Sequence, residues 1–382
     1  MSNTLIFLLC GVMSASSCAD APNAKDAGPM AGSAWERVKS VPIVSPEFNR
    51  MAVSTDGALL AAYTRSCSGI RLHPRSNRIA LLHLSSEQRW MYVDTKGAIS
   101  GVVVLRNGVM YSSTGCAGRP ALPSLSGRVS EWQVSGAEAQ GNRGRMWQWY
   151  LNGVDSMALS QERRLLAIGT QGVPALSYDP GTDRERHNVA VVDLDAGEVA
   201  RFIRSGRGPI RSMWFVRNGS ILVTHGESLR FWAAPGFTEI KSNGRPRRLT
   251  GEQGSVAISE NGRTLAVIAK AGNQIDITNC QIGDNPASVR FLAERSVQFP
   301  GAEVTSVQLA PDGTFLTASL DIHRYGGKPS VRVVDTRTGE TVLSVPSNGA
   351  VAFIKGGRVA IGTVDGGVEI WGQASTPGIT VE

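Results

Sequence analysis

The sequence predicts an all-β fold, a seven-bladed β-propeller of four-stranded antiparallel blades. Three features predict it: a short apolar run reaches a tight turn at seven places, a second apolar run follows each turn at once, and the unit recurs about every 50 residues. Most of these turn residues tolerate the positive φ angles that two-residue hairpin loops require. The turns are Asp56-Gly57, Asn107-Gly108, Glu162-Arg163, Asn218-Gly219, Asn261-Gly262, Asp312-Gly313 and Gly356-Gly357.

Each turn joins the first and second strands of a blade. The runs after the turns are small and β-branched with little polar alternation, as expected of strands that neighbouring sheets cover on both faces. The predicted second strands are 59–64, 109–112, 165–170, 221–224, 265–269, 315–318 and 359–363. Third strands follow at 79–84, 129–134, 189–194, 229–232, 275–278, 331–335 and 368–371. A fourth strand is readable at 198–203 and at 341–345, which completes the four-stranded unit.

The ring is expected to close through an N-terminal strand. Blade seven has three strands of its own, ending at Trp371, and an unpaired outer edge is an aggregation liability. The run from Trp35 to Val41 alternates suitably and precedes blade one, so we predict that it forms the outer strand of blade seven. The propeller then occupies residues 35–375, followed by a tail at 376–382.

The first 34 residues predict export. Residues 5–13 form an apolar core followed by small residues, which is typical of a secretory signal and too short to span a bilayer. The sequence Ala15-Ser16-Ser17-Cys18 resembles the bacterial lipobox, and the resemblance implies a lipid on Cys18; ordinary cleavage after Ala19 is the alternative. We expect a signal peptide at 1–18 and a flexible tether rich in Ala, Gly, Pro and Asp at 19–34. The expected location is the periplasm, or the outer membrane as an anchored lipoprotein.

Several motifs link the chain to a known family. The run LAPDG at 309–313, with VSTDG at 53–57 and ISENG at 258–262, stands where WD-repeat propellers have their strand-turn motif. Trp371, Trp232 and Trp132 stand near that family's Trp, and Asp193 and Asp335 look like its Asp. No repeat has the full Trp-Asp pair, and the chain has no Gly-His pair. Over residues 35–372 the chain therefore resembles a WD-repeat protein with degenerate repeats, and the resemblance implies a propeller.

Three cysteines remain once the leader and Cys18 are removed. Cys67 and Cys116 follow the second strands of adjacent blades, and equivalent positions of adjacent blades face the same end of the ring. A Cys67–Cys116 disulfide is reasonable in an oxidising compartment, and two reduced loop cysteines are the alternative, because connectivity cannot be derived from sequence. Cys280 is expected to be a buried free thiol.

The connections between second and third strands all emerge on one face of the ring, which we call the loop face. They are short in blades four, five and seven, at 226–228, 270–273 and 365–367. They are long in blades one, two, three and six, at 66–78, 114–128, 171–188 and 321–330. We call the first three long connections loops one, two and three, and together they form a crescent. Loops of this length on a rigid scaffold usually carry function.

The crescent is basic. Loops one and two contain no Asp or Glu, whereas loop three balances its cations with Asp179, Asp183 and Glu185. With a formal net charge of +7, such a face would attract an acidic protein, an anionic polysaccharide or phospholipid headgroups; a solvated face that keeps the protein soluble is the alternative. The candidate binding residues are Arg71, His73, Arg75, Arg78, Arg119, Arg128, Arg184, Arg186, His323 and Arg324. Nucleic acid is not an expected partner, because no stacking aromatics interleave these arginines.

Searches for catalytic motifs find no His-Glu-x-x-His, no Gly-x-Ser-x-Gly and no phosphate-binding glycine loop. Four histidines fall in or beside the loop face without metal-ligand spacing, at His73, His187, His225 and His323. We therefore expect a monomeric binding or scaffold protein with no catalytic residue, metal or cofactor, and with membrane contact only through an N-terminal lipid. The alternative is a propeller enzyme, either a quinone-dependent dehydrogenase or a metal-dependent lactonase or lyase, which would show converging carboxylates or histidines at the channel mouth.

Overall fold

The computed structural model describes residues 35–41, 48–54, 56–64, 78–84, 91–95, 99–104, 109–114, 128–135, 138–148, 154–170, 187–206, 208–243, 255–269, 272–283, 288–321 and 328–374. Within these ranges the chain forms an all-β, seven-bladed propeller, as the sequence predicts. The described part of the chain contains no helix that is long and apolar enough to cross a membrane.

Blades one to three each pair four strands in chain order. Blade one contains β2 (Arg50–Val53), β3 (Leu59–Tyr63), β4 (Arg78–His83) and β5 (Met91–Asp94). Blade two contains β6 (Ile99–Val104), β7 (Val109–Thr114), β8 (Arg128–Ser135) and β9 (Glu138–Gln148). Blade three contains β10 (Val154–Ser160), β11 (Leu165–Thr170), β12 (Val189–Asp193) and β13 (Glu198–Ile203).

Blades four to six follow the same order, and blade five gains an extra strand. Blade four contains β14 (Ser212–Val216), β15 (Ile221–His225), β16 (Leu229–Ala233) and β17 (Thr238–Ile240). Blade five contains β19 (Val256–Ile258), β20 (Thr264–Ile268), β21 (Gln274–Ile282) and β22 (Val289–Gln298), and β18 (Ser242–Asn243) pairs in parallel with β22. Blade six contains β23 (Glu303–Leu309), β24 (Phe315–Asp321), β25 (Ser330–Asp335) and β26 (Thr341–Pro346).

Blade seven closes the ring with the N-terminal strand. It contains β27 (Val351–Ile354), β28 (Arg358–Gly362), β29 (Val368–Gln373) and β1 (Trp35–Val41). The antiparallel register of β1 and β29 runs from Trp35 opposite Gln373 to Val41 opposite Val368, which confirms the predicted closure. A bulge between Arg37 and Lys39 shifts the alternation. Trp35 consequently packs in a cluster with blade six, whereas Val41 packs in a cluster with blade one.

The predicted second and third strands are present in all seven blades, with ends shifted by a few residues. The one large difference is in blade five, where the third strand continues from the predicted 275–278 to Ile282. This extension packs over blade four, where the Phe291 and Phe231 rings lie 6.3 Å apart and Val289 is buried. Tertiary packing against the neighbouring blade therefore lengthens this hairpin beyond its local pattern.

The turns between first and second strands lie on the face opposite the loop face, which we call the turn face. Described turns of adjacent blades pack against one another, from blade three to blade six and between blades seven and one, and this close packing explains two glycines. A Cβ on Gly219 in blade four would lie 1.9 Å from Ser160 Oγ of blade three, and its φ is +75°. A Cβ on Gly313 would lie 2.5 Å from Thr264 Oγ1 of blade five. Only glycine fits both the conformation and the space at these two turns. The predicted turn Asn107-Gly108 lies outside the described residues.

Apolar clusters fill the spaces between adjacent blades, as the predicted two-sided burial of the strands requires. One cluster joins Ala266 of blade five to Leu316 of blade six, and both side chains are fully buried. Cys280 lies in the cluster between blades four and five as a buried free thiol, which confirms the prediction. Burial raises the pKa of the Cys280 thiol to about 12, so it stays protonated and unreactive. Cys67 and Cys116 lie outside the described residues.

Candidate functional site

The loop face is built by the ends of the second and third strands, and Arg78 and Arg128 mark it in two blades. Each is the first residue of a third strand, β4 in blade one and β8 in blade two, so the two hold equivalent positions in adjacent blades. Arg78 is exposed, and its guanidinium lies 5.2 Å from the centroid of the Tyr92 ring, which is 43% exposed. Arg128 is half-buried. The structure thus places two of the predicted binding residues on one side of the ring.

The other predicted site residues lie outside the described residues. They are Cys18, Arg71, His73, Arg75, Arg119, Arg184, Arg186, His323 and Arg324. The strand ends that carry their loops are described and pair across each loop base: Tyr63 with Ile79, Thr114 with Arg128, Gly169 with Val189, and Leu320 with Ser330. All four loop bases therefore open on the loop face.

A hydrogen-bonded junction between blades three and four supports the end of loop three. The backbone N–H of Thr170 donates to the carbonyl of Asn188 at 2.9 Å, which closes the base of the loop. The Asn188 amide nitrogen donates to the Gly208 carbonyl at 2.9 Å, and its Oδ1 accepts from the Ser205 N–H at 2.8 Å. Asn188 is 2% exposed, and the bond that it accepts from Ser205 is buried, which strengthens that bond. Asn188 was not predicted as a site residue, because one Asn at the start of a strand has no distinguishing pattern.

Buried hydroxyl groups near the loop-face ends of second strands receive hydrogen bonds from tryptophans of third strands. In blade two the Trp132 indole N–H donates to Ser112 Oγ at 2.8 Å, and in blade four Trp232 donates to Thr224 Oγ1 at 3.0 Å. The Thr224 hydroxyl also bonds with Ser205 Oγ at 2.5 Å. These bonds fasten second strands to third strands directly below the surface that carries the loops, and they give the loop face a rigid support.

Two of the four loop-face histidines are described, and they lie in different blades. His225 ends β15, is 5% exposed, and has a pKa lowered to about 4 by burial and, secondarily, by the nearby Arg211 cation. It is therefore neutral at pH 7. His187 precedes Asn188 and is half-buried, with its ring 6.0 Å from the Phe202 ring. The Nδ1 atoms of both histidines have no hydrogen-bond partner among the described residues.

The described residues include a buried carboxylate with side-chain donors and an apolar recess. In blade five the buried Asp276 accepts hydrogen bonds at Oδ1 from Ser296 at 2.6 Å and from Gln274 at 2.5 Å. These are side-chain donors that hold the carboxylate inside the blade. Between blades one and seven there is an apolar recess lined in part by Phe48, Met51 and Val368. The described residues contain no group of three or more His, Cys, Asp or Glu side chains placed to hold a metal ion.

Two exposed arginines on the loop face, Arg204 and Arg211, were missed by sequence analysis. They begin and end the connection from blade three to blade four, RSGRGPIR, whereas the predicted site residues all come from connections within blades. Three arginines in eight residues were the signal that could have found them.

The sequence matches no known protein-family model, and a search of curated proteins found no match.

Proposed function

We propose that this protein is a non-catalytic binding or scaffold module of the bacterial cell envelope, and that it recognises an acidic protein or an anionic envelope polymer through its loop face. One observation carries the proposal. Arg78 and Arg128 occupy equivalent positions in adjacent blades, at the ends of the two loops that contain no acidic residue. Repeated cations on one side of a rigid ring create a field of one sign, which attracts and orients an anionic partner.

The envelope location rests on the leader. The apolar run at 5–13 and the sequence around Cys18 support export, with a lipid on Cys18 as the anchor and 19–34 as the tether. The WD-repeat relationship rests on the motifs at 53–57, 258–262 and 309–313. The indole-to-hydroxyl bonds of Trp132 and Trp232 add support, because these are two of the tryptophans that match the family's position. Propellers of this kind present loops on a stable ring, which suits binding.

His225 is neutral and packs inside blade four. Asp276 accepts hydrogen bonds from side chains of its own blade. Neither favours the alternative of a propeller enzyme. A binding surface made by several separate loops also agrees with the placement of Arg78 and Arg128 in different blades. A broad charged surface is suited to a macromolecule, whereas a small substrate usually requires a concave pocket with convergent polar groups.

Capture from envelope extracts tests the proposal. The mature protein, immobilised through its C-terminus, is compared with Arg71→Ser/Arg75→Ser/Arg119→Ser and with the turn-face control Arg163→Ser/Arg263→Ser/Arg358→Ser. We expect the native chain and the control to retain the same acidic component, and the loop-face variant to lose it, at low salt. Equal capture by all three proteins, or capture unaffected by 0.5 M salt, which shortens the screening length to below about 5 Å, would contradict the proposal.

A further inference from the structure

Three Asn-Gly pairs are described in full, and the fold surrounds them differently. They are Asn218-Gly219 in the turn of blade four, Asn261-Gly262 in the turn of blade five, and Asn348-Gly349 in the connection that leads into blade seven. The three pairs have the same residues in the same order, so a difference in their chemistry must come from the fold. Further pairs, at 107–108, 152–153 and 243–244, lie wholly or partly outside the described residues.

An asparagine that precedes glycine can modify itself, because glycine has no side chain to hinder approach to its backbone nitrogen. This nitrogen attacks Cγ of the asparagine, a C–N bond forms, and the Cγ–Nδ2 bond breaks. The amide nitrogen leaves as ammonia with the proton of the glycine N–H, and a five-membered succinimide remains. Water then opens the ring. Opening at Cγ gives aspartate, and opening at the backbone carbonyl gives isoaspartate, whose main chain runs through Cβ. Both the glycine N–H and the asparagine amide must leave their native contacts.

Hydrogen bonds hold both reacting groups of the pair in blade five. Asn261 Oδ1 accepts from Ser259 Oγ at 2.7 Å and from the Arg263 N–H at 2.8 Å. The Asn261 Nδ2 donates to the Asp312 carbonyl at 2.7 Å. The Gly262 N–H donates to the Ser259 carbonyl at 2.8 Å. Attack at this pair must therefore break the hydrogen bond of the nucleophile and turn the amide away from its partners.

The pair that precedes blade seven is held in the same way. Asn348 Nδ2 donates to the Phe48 carbonyl at 2.7 Å, and its Oδ1 accepts from the Ala350 N–H at 3.0 Å. The Gly349 N–H donates to Ser347 Oγ at 3.0 Å. Asn348 is also half-buried, which restricts the rotation of its amide. Hydrogen bonds thus oppose the reaction at this pair at the nucleophile and at the leaving amide.

Neither reacting group is held at the pair in blade four. Within the described part of the chain, the Asn218 amide and the Gly219 N–H make no hydrogen bond, and Asn218 is exposed. The turn is fastened on either side of this pair. The Arg217 N–H donates to the Glu260 carbonyl at 2.8 Å, and the Ser220 N–H donates to the Arg217 carbonyl at 3.1 Å. The peptide group between residues 218 and 219 can therefore rotate without the loss of a described hydrogen bond.

We propose that Asn218 is a site of spontaneous deamidation, at which the folded protein converts asparagine to aspartate and isoaspartate while Asn261 and Asn348 persist. The consequence follows from the packing of the turn. Gly219 is buried so closely against blade three that a Cβ would lie 1.9 Å from Ser160 Oγ. Isoaspartate at position 218 adds one atom to the main chain of this turn and displaces Gly219 from that contact. Deamidation therefore loosens the turn face between blades three and four, and it does not involve the loop face.

Timed peptide mapping tests the site. The mature protein is incubated in mildly alkaline buffer, both folded and in concentrated urea. Deamidated peptides are measured by mass spectrometry, with fragmentation that distinguishes isoaspartate from aspartate. In the folded protein Asn218 should deamidate at least about tenfold faster than Asn261 or Asn348, because attack at those residues must first break several hydrogen bonds. In urea the three rates should converge. The same ratio of rates in both states, or an Asn218 that stays intact in the folded protein, would overturn the proposal.

Thermal unfolding of the products tests the consequence for packing. Asn218→Asp carries the charge of the product without the extra main-chain atom, and aspartate tolerates positive φ. We expect the isoaspartate form, separated by chromatography, to unfold at least about 2 °C below Asn218→Asp. Asn218→Gly keeps the turn conformation and removes the amide, so its melting temperature should not change during incubation. An isoaspartate form that unfolds at the temperature of Asn218→Asp would contradict the effect on the turn, and equal losses of stability by Asn218→Gly and the native chain would show that another site is responsible.

Discussion

Truncation of Trp35 is expected to destabilise the whole propeller, because this residue fastens the strand that closes the ring. Trp35 is 5% exposed, and its ring meets Phe315 of blade six edge-to-face, with ring centroids 5.3 Å apart. Trp35→Ala removes a large buried side chain and this aromatic pair, so we expect a loss of about 3–5 kcal/mol in the free energy of unfolding. The comparable change Val38→Ser on the same strand, at a side chain that is 53% exposed, should cost less than about 0.5 kcal/mol.

Urea unfolding followed by far-ultraviolet circular dichroism measures both changes. Arg37→Ala supplies a second control: its ion pair with Glu369, at 2.9 Å, involves an arginine that is 56% exposed and should contribute less than about 1 kcal/mol. Deletion of residues 35–44 should lower the melting temperature further than Trp35→Ala, because it leaves the edge of β29 unpaired. A chain that starts at Asn49 and unfolds at the native temperature would refute the closure, and equal effects of Trp35→Ala and Val38→Ser would refute the energetic reasoning.

Three further predictions concern acid stability, backbone packing and the cysteines. Burial holds the pKa of His225 at about 4 in the folded chain, against an ordinary value of 6.5, so the unfolded state binds the proton more readily. The associated stability, about 3 kcal/mol, is complete above pH 6.5 and is lost as the pH falls to 4. His225→Gln should remove this loss when urea unfolding is compared at pH 7 and pH 4.5, and an unchanged difference would contradict the assignment. A Cβ on Gly169 would lie 2.6 Å from Ser156 Oγ and 2.9 Å from Ile210 Cβ, so Gly169→Ala should cost about 1–3 kcal/mol, whereas Gly236→Ala, whose Cβ would meet only Thr238 Oγ1 at 3.8 Å, should cost far less. A Cys67–Cys116 disulfide would stabilise the fold by about 2–4 kcal/mol and should appear as linked peptides in non-reducing mass spectrometry, while alkylation of both thiols in periplasmic material would rule it out.

The architecture was predictable because each blade repeats the same local signal. Turns such as Asp312-Gly313 specify hairpins through backbone conformation, and Gly313 has the expected positive φ of +79°. Seven such signals at regular spacing then leave few other arrangements of the strands. The closing strand was also predictable from its position, whereas its bulge was not, because the shift between Arg37 and Lys39 depends on packing against two different blades.

Features that depend on distant contacts escaped prediction. The parallel pair of β18 and β22 joins Ser242 to Val289, and two residues provide no periodic pattern that could identify a strand. The extension of β21 to Ile282 depends on an apolar surface of blade four, including Phe231. Local propensity says nothing about either contact.

Sequence analysis identified the loop face, yet it defined only part of the candidate site. Arg78 and Arg128 were predicted as binding residues because each ends a long loop that contains arginines and no acidic residue. Arg204 and Arg211 lie in a connection between two blades, where the sequence shows three arginines in eight residues but does not show which side chains are exposed. Their exposure, and their place beside the base of loop three, follow from the fold and from the junction held by Asn188.

Hydrogen exchange is the most direct test of binding through the loop face. The mature protein is measured by mass spectrometry with and without a saturating amount of a peptide of ten glutamates, which serves as an acidic probe. We predict slower exchange at the loop ends of blades one to four, in peptides that contain Arg78, Arg128 and 204–211, with no change at the turn-face segments 218–220 and 261–263. Protection at the turn-face segments, or equal protection around all seven blades, would contradict the account and would place the partner elsewhere on the ring.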